Sequence, residues 1–106
     1  MRTLILSDIH ANLTAFQAVL NAAGDVDQVW FLGDVVGYGP DPNECIELLR
    51  GQPNLQALMG NHDAAVCGKL DPEIFSPRAK DIVRRHRGQL AQSGIDWLSR
   101  LPLTLT

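Results

Sequence analysis

Three short apolar runs set the frame of this chain: Thr3–Leu6, Val29–Leu32 and Leu55–Met59, each starting 26 residues after the one before. They are close to continuously apolar instead of alternating, the pattern of strands buried on both faces. Helical patterns fill the intervals. Asn12 can cap a helix whose Leu13, Phe16, Leu20 and Ala23 fall on one stripe, with Gly24 as its stop. Asp41-Pro42 opens a second helix that runs to Arg50, closed by Gly51 with Pro53 just beyond. The fold class that follows is α/β: a parallel β-α-β-α-β core with right-handed crossovers. Phe16, Trp30, Phe31 and Trp97 are assigned to the core.

Beyond residue 63 the pattern is less regular. Ser76-Pro77 starts a helix in which Ile82, Val83, His86 and Leu90 share a face, Ile95–Arg100 reads as a short helical turn, and Leu103–Thr106 alternates as a strand would. A chain of 106 residues predicts one domain, residues 1–106. No apolar run approaches the ~20 residues of a membrane-crossing helix, and Met1–Asp8 lacks the form of a signal peptide. Cys45 and Cys67, 22 apart, suit reduced thiols in a cytoplasmic protein better than a disulfide framework.

The net charge of −3 argues against nucleic acid as a stable partner, but it is unevenly spread. Residues 1–63 carry two basic and eight acidic side chains; residues 64–106 carry seven basic and four acidic ones. Acidic clustering in the first part is what a cation site requires. The basic run of Arg78, Lys80, Arg84, Arg85 and Arg87 reads first as a solvated helix face, with a surface for phosphate-bearing substrates as the sharper alternative.

Each apolar run ends in a polar cluster: Asp8-Ile9-His10, then Gly33-Asp34, then Gly60-Asn61-His62-Asp63. Open α/β sheets bind ligands just beyond the carboxyl ends of their strands, so three pieces of chain deliver Asp8, His10, Asp34, Asn61 and His62 to one crevice. Residues two apart on an extended segment point the same way, which lets Asp8 and His10 grip one ion. Gly33 and Gly60 permit sharp turns and close backbone approach. Two carboxylates, an imidazole and an amide oxygen suit Mn, Fe or Zn better than calcium. Asp63 reads as a helix cap, His86 as a surface or half-buried histidine, and Tyr38 as either a cleft wall or a packing residue.

Asp-x-His, then Gly-Asp, then Gly-Asn-His-Asp at these intervals closely resembles the calcineurin-like metallophosphoesterases. Gly33-Asp34-Val35-Val36-Gly37-Tyr38-Gly39-Pro40 is similar to their small prokaryotic phosphodiesterase branch. The resemblance implies the first half of a metallophosphoesterase α/β sandwich and hydrolysis of a phosphate mono- or diester by a hydroxide held between two divalent metal ions, Mn foremost. Asp8 and His10 would bind the first metal, Asp34 would bridge both, and Asn61 would bind the second. His62 would protonate the leaving group or stabilise its charge, with Asn61 and His62, and Tyr38 as a further candidate, touching substrate.

The sequence departs from that pattern in one respect. Such enzymes supply further histidines later in the chain, whereas this one has three histidines, none after His86. The resemblance therefore implies an incomplete second metal sphere, and a 106-residue piece that is weak or inactive alone. A fragment of a longer enzyme and a short gene product that works differently both fit, as does a non-catalytic interaction module on the same fold. The two-sided apolar strands predict either self-association or cover from a missing C-terminal half.

Overall fold

The structure, a computed structural model, describes residues 1–103. Thr3–Leu6 (β1), Gln28–Phe31 (β2) and Gln56–Ala57 (β3) form a parallel sheet in the order β1-β2-β3. Thr3 pairs with Gln28, Leu6 with Phe31, and Phe31 with Ala57. The crossovers are Leu13–Ala23 (α1) and Pro42–Arg50 (α2). Asn12 caps α1 through its side-chain oxygen, which accepts from Ala15 N–H at 3.1 Å, and Gly24 ends it with φ 68°. The expected parallel core is present. Its third strand is two residues long, where five were expected, although Leu58 N–H still donates to Phe31 O and Met59 N–H to Pro102 O, each at 2.8 Å.

Four further elements follow. Asn61–Val66 (α3) starts on the Gly-Asn-His-Asp segment itself, and Pro72–Ile74 makes a 3₁₀ turn. Pro77–Gln89 (α4) is capped by Ser76 Oγ, and Gln92–Ser99 (α5) is a full helix where only a turn over Ile95–Arg100 was expected. The last expected strand, Leu103–Thr106, falls mostly outside the described residues. Among those described, no helix is long and apolar enough to cross a membrane. Both cysteines are free; Cys45 is buried and its thiol is pushed up to about 12 by desolvation, while Cys67 is half-buried.

Strand order decides where the core sits. When consecutive parallel strands are laid down in one direction, crossovers of one hand place their helices on the same face. Here α1 and α2 pack against each other, and Phe16, Cys45, Ile46 and Leu49 join Val35, Val36 and Phe31 in one buried cluster. α4 packs on α2 and α3 instead of on the sheet. The opposite sheet face is bare, with Ile5 56% and its cross-strand partner Trp30 42% exposed, and Leu32 exposed beside them. Trp30 is thus not a core residue. Two-sided apolarity was read correctly as sequence, but only one of the two faces is covered.

Candidate metal and phosphoester site

The loops that leave β1 and β2 stay paired after the strands end. Asp8 N–H donates to Gly33 O (3.0 Å), His10 N–H to Asp34 O (3.0 Å) and Ala11 N–H to Val35 O (2.8 Å). The geometry is not the extended one expected for Asp8-x-His10. Asp8, His10 and Ala11 have φ of 57°, 50° and 58°, and Asp34 and Tyr38 have 66° and 67°. Left-handed backbone is disfavoured for residues with a Cβ, and its concentration in two facing loops is typical of a functional site. The loops also meet closely. A Cβ on Gly33 would lie 2.8 Å from Gly60 Cα, and one on Gly60 would lie 2.2 Å from Asp34 Oδ1, so neither position admits a side chain.

One ligand atom from each of His10, Asp34 and His62 lies within 4.8 Å of the others. Asp8 stands outside that trio, but its Oδ1 is 3.2 Å from His10 Nε2. Asn61 opens α3 one residue before His62, exposed. The resemblance implies a catalytic role for His62 apart from the candidate metal ligands; the structure places its ring beside two of those candidates, His10 and Asp34.

The protonation pattern is informative. His10 Nδ1 lies 3.0 Å from Val36 O, an oxygen that can only accept, so Nδ1 carries the proton. In the neutral ring, Nε2 then turns its lone pair toward the Asp8 carboxylate, an arrangement that calls for a proton or a cation between them. Ser7 Oγ–H donates to Asp8 Oδ2 at 2.5 Å. That bond, more than the nearby His10, holds the Asp8 carboxyl below its ordinary range. Among the described residues, neither ring nitrogen of His62 has a hydrogen-bond partner although both are buried. Its Nδ1 lies 3.6 Å from Asp34 Oδ1, and burial above all lowers its pKa. A buried imidazole without partners is costly unless something the site binds satisfies it.

Three positioning features were missed or under-read. Asp63 does accept from Gly60 N–H (3.0 Å), as a cap would, but the same fully buried carboxylate also accepts from Asp34 (2.8 Å), Val35 (3.0 Å) and Val36 N–H (3.2 Å). It ties the Gly-Asp loop to α3, and desolvation raises its pKa to about 6 against those bonds. Phe75 stacks on His62, with centroids 4.9 Å apart and 13° between planes, and no sequence signal announces it. His86 is 1% exposed, not a surface histidine. That could have been read, because Ala79, Val83, His86 and Leu90 repeat at core spacing along α4. Tyr38, half exposed, lies with its ring centroid 5.1 Å from His10 and 5.0 Å from His62. It also borders a cleft of about 370 Å³, which has Asp8 and His10 on one wall and Ala15, Phe16 and Val19 of α1 on the other.

Residues 1–105 match the calcineurin-like phosphoesterase family. The chain belongs to that family. Among curated relatives, the chain is similar to an uncharacterised protein of Methanocaldococcus jannaschii, 37% identical over 95% of this chain and 42% of that protein. It is also similar to a symmetrical bis(5'-nucleosyl)-tetraphosphatase of Erwinia tasmaniensis, 30% identical over 97% of this chain and 39% of that one. The chain therefore spans less than half the length of these relatives. Among solved structures, a metallophosphoesterase from Sphaerobacter thermophilus superposes with TM-score 0.85 and 45% identity, over all of this chain and 43% of that one. The α/β fold and phosphoester hydrolysis as the general activity class of its relatives follow from these likenesses.

Proposed function

We propose that the crevice between the β1, β2 and β3 loops is the first part of a two-metal phosphoester hydrolase site. Asp8, His10, Asp34 and Asn61 would hold the cations, and His62 would serve the leaving group. The observation that carries this is the facing of electron-pair ligand atoms: the His10 Nε2 lone pair toward Asp8, and His62, without a hydrogen-bond partner among the described residues, beside Asp34. The donor set of carboxylates, imidazole and amide fits a borderline cation such as Mn²⁺, Fe²⁺ or Zn²⁺. Bound there, divalent cations would supply Lewis acidity toward phosphoryl oxygens and a lower pKa for water.

The chain's own residues do the rest. The Val36 carbonyl fixes the His10 tautomer and so aims Nε2 into the crevice. Asp63 fixes the loop bearing Asp34, whose Oδ1 also accepts from His62 N–H at 3.0 Å, so carboxylate and imidazole are set relative to one another. Hydrolysis forms one O–P bond from water, whose proton leaves to solvent, and breaks the P–O bond to the leaving group, whose oxygen takes a proton from the protonated His62, which then regains one from solvent. Phe75 and Tyr38 flank the imidazole and limit its contact with water.

Expressed at its natural length, the protein should hydrolyse an aryl phosphodiester with added Mn²⁺ and stop on chelation; the name of the Erwinia relative makes a bis(5'-nucleosyl) tetraphosphate the next substrate to try. Turnover that persists in excess chelator, with no Mn²⁺ bound by the protein, would refute the proposal. The 106 residues alone should be weak or inactive.

A second reading rests on the bare sheet face. Ile5, Trp30 and Leu32 make an apolar surface of the kind that marks interaction sites. In the working protein we expect another layer of polypeptide, its own or a second copy's, to cover it. Light scattering on the 106 residues should show self-association, or else a monomer that binds a hydrophobic dye. A dye-free, cooperatively unfolding monomer would show that the face is tolerated bare.

A further inference from the structure

We infer that His86 is a positioning residue: its ring clasps the Gly37-Tyr38-Gly39 loop and thereby holds Tyr38 as a wall over His10 and His62. The functional part of this inference rests on the phosphoester reading of that site. His86 lies on α4, 24 residues after His62, and its two ring hydrogen bonds go to backbone and not to Asp8, His10, Asp34, Asn61 or His62. Its Nδ1 is 2.9 Å from Gly37 N, and its Nε2 is 2.7 Å from Gly39 O. An amide N–H can only donate and a carbonyl can only accept, so Nδ1 accepts and Nε2–H donates. Only the neutral Nε2–H tautomer makes both bonds.

The loop so held has little freedom and some strain. Tyr38, between the two clasped residues, sits at φ 67°, a conformation that needs outside support in a residue with a Cβ. A Cβ on Gly37 would lie 2.9 Å from His62 Cδ2 and 3.2 Å from His10 Nδ1. One on Gly39 would lie 2.5 Å from the carbonyl oxygens of His10 and Ala11. Gly39 N–H also donates to His10 O at 2.8 Å. Pulling the loop outward would break these contacts and both bonds to His86 together. With the loop in place, the Tyr38 ring faces both histidines and stays 47% exposed, free to contact the organic group of a substrate.

A purely packing role for His86 predicts a different outcome from a positioning role. His86→Phe keeps the ring volume and removes both hydrogen bonds, whereas His86→Gln offers an acceptor and a donor that can restore them. In the metal-free protein, proton NMR should show contacts from the Tyr38 ring to the His10 and His62 rings in the wild type and His86→Gln, and their loss in His86→Phe. Contacts that survive in a folded His86→Phe protein would overturn the inference whether or not the protein turns over substrate. In the active form, His86→Phe should raise KM for an aryl phosphodiester about tenfold, the scale of one lost aromatic contact, with a smaller change in kcat. That effect should vanish in a Tyr38→Ala background; additive effects would mean that His86 acts by another route. If His86→Phe does not fold, nitrogen NMR of the wild type still decides, since a protonated His86 Nδ1 would exclude the clasp.

Discussion

Asp63→Ala should cost this chain about 3–6 kcal/mol of folding stability, a large share of what a small domain has. One carboxylate accepts four backbone N–H groups, those of Asp34, Val35, Val36 and Gly60, at 2.8–3.2 Å, and none of its surface reaches water. Alanine strands those donors, and each buried donor left without a partner costs on the order of 1–3 kcal/mol. Only part of that is recovered if water enters. Asp63→Asn keeps one acceptor oxygen but points an amide N–H₂ at backbone donors, so it should fall between wild type and alanine. Urea unfolding followed by circular dichroism reads both variants. An Asp63→Ala protein within about 1 kcal/mol of wild type would show that the loop finds other partners at little cost.

His62→Ala should lower turnover ~10²–10⁴-fold in the active form, the usual contribution of a positioned proton donor. Metal occupancy should change far less. The separation matters because His62 lies within ligand distance of the His10–Asp34 pair, so geometry alone permits either role. Mn²⁺ titration monitored by electron paramagnetic resonance distinguishes them: parallel loss of bound metal and of activity would make His62 a ligand. Phe75 stacks on the ring that alanine removes, so some loss of stability should accompany the substitution, and turnover is best compared at matched folded fractions.

The core was legible because its signals are local. Apolar runs, an Asn12 cap with its Gly24 stop, and a Pro42 start each act within a few residues, and all marked real elements. The loop motifs were legible as a set for the same reason. What the sequence hid were relations across the fold. The exposure of Trp30 follows from both crossovers packing on one sheet face, which no residue near Trp30 reports. The left-handed backbone at Asp8 and His10 replaces the extended geometry assumed for Asp-x-His, yet the two side chains still meet, because pairing to Gly33 and Asp34 turns the loop as a unit. Phe75 and His86 reach the site from segments outside any motif, the first through a 3₁₀ turn and the second from mid-helix.

The fan of amides around Asp63 also bears on how this crevice can move. Asp34, Val35 and Val36 reach one carboxylate on the first turn of α3, so the loop cannot swing outward by a hinge of its own. To let Asp34 go, that carboxylate must release three donors almost together, and the start of α3, with Asn61 and His62 upon it, loosens in the same event. Opening would then be a single cooperative step instead of a graded breathing of separate loops. A substrate would meet the crevice in one of two conditions, assembled or undone, with little in between.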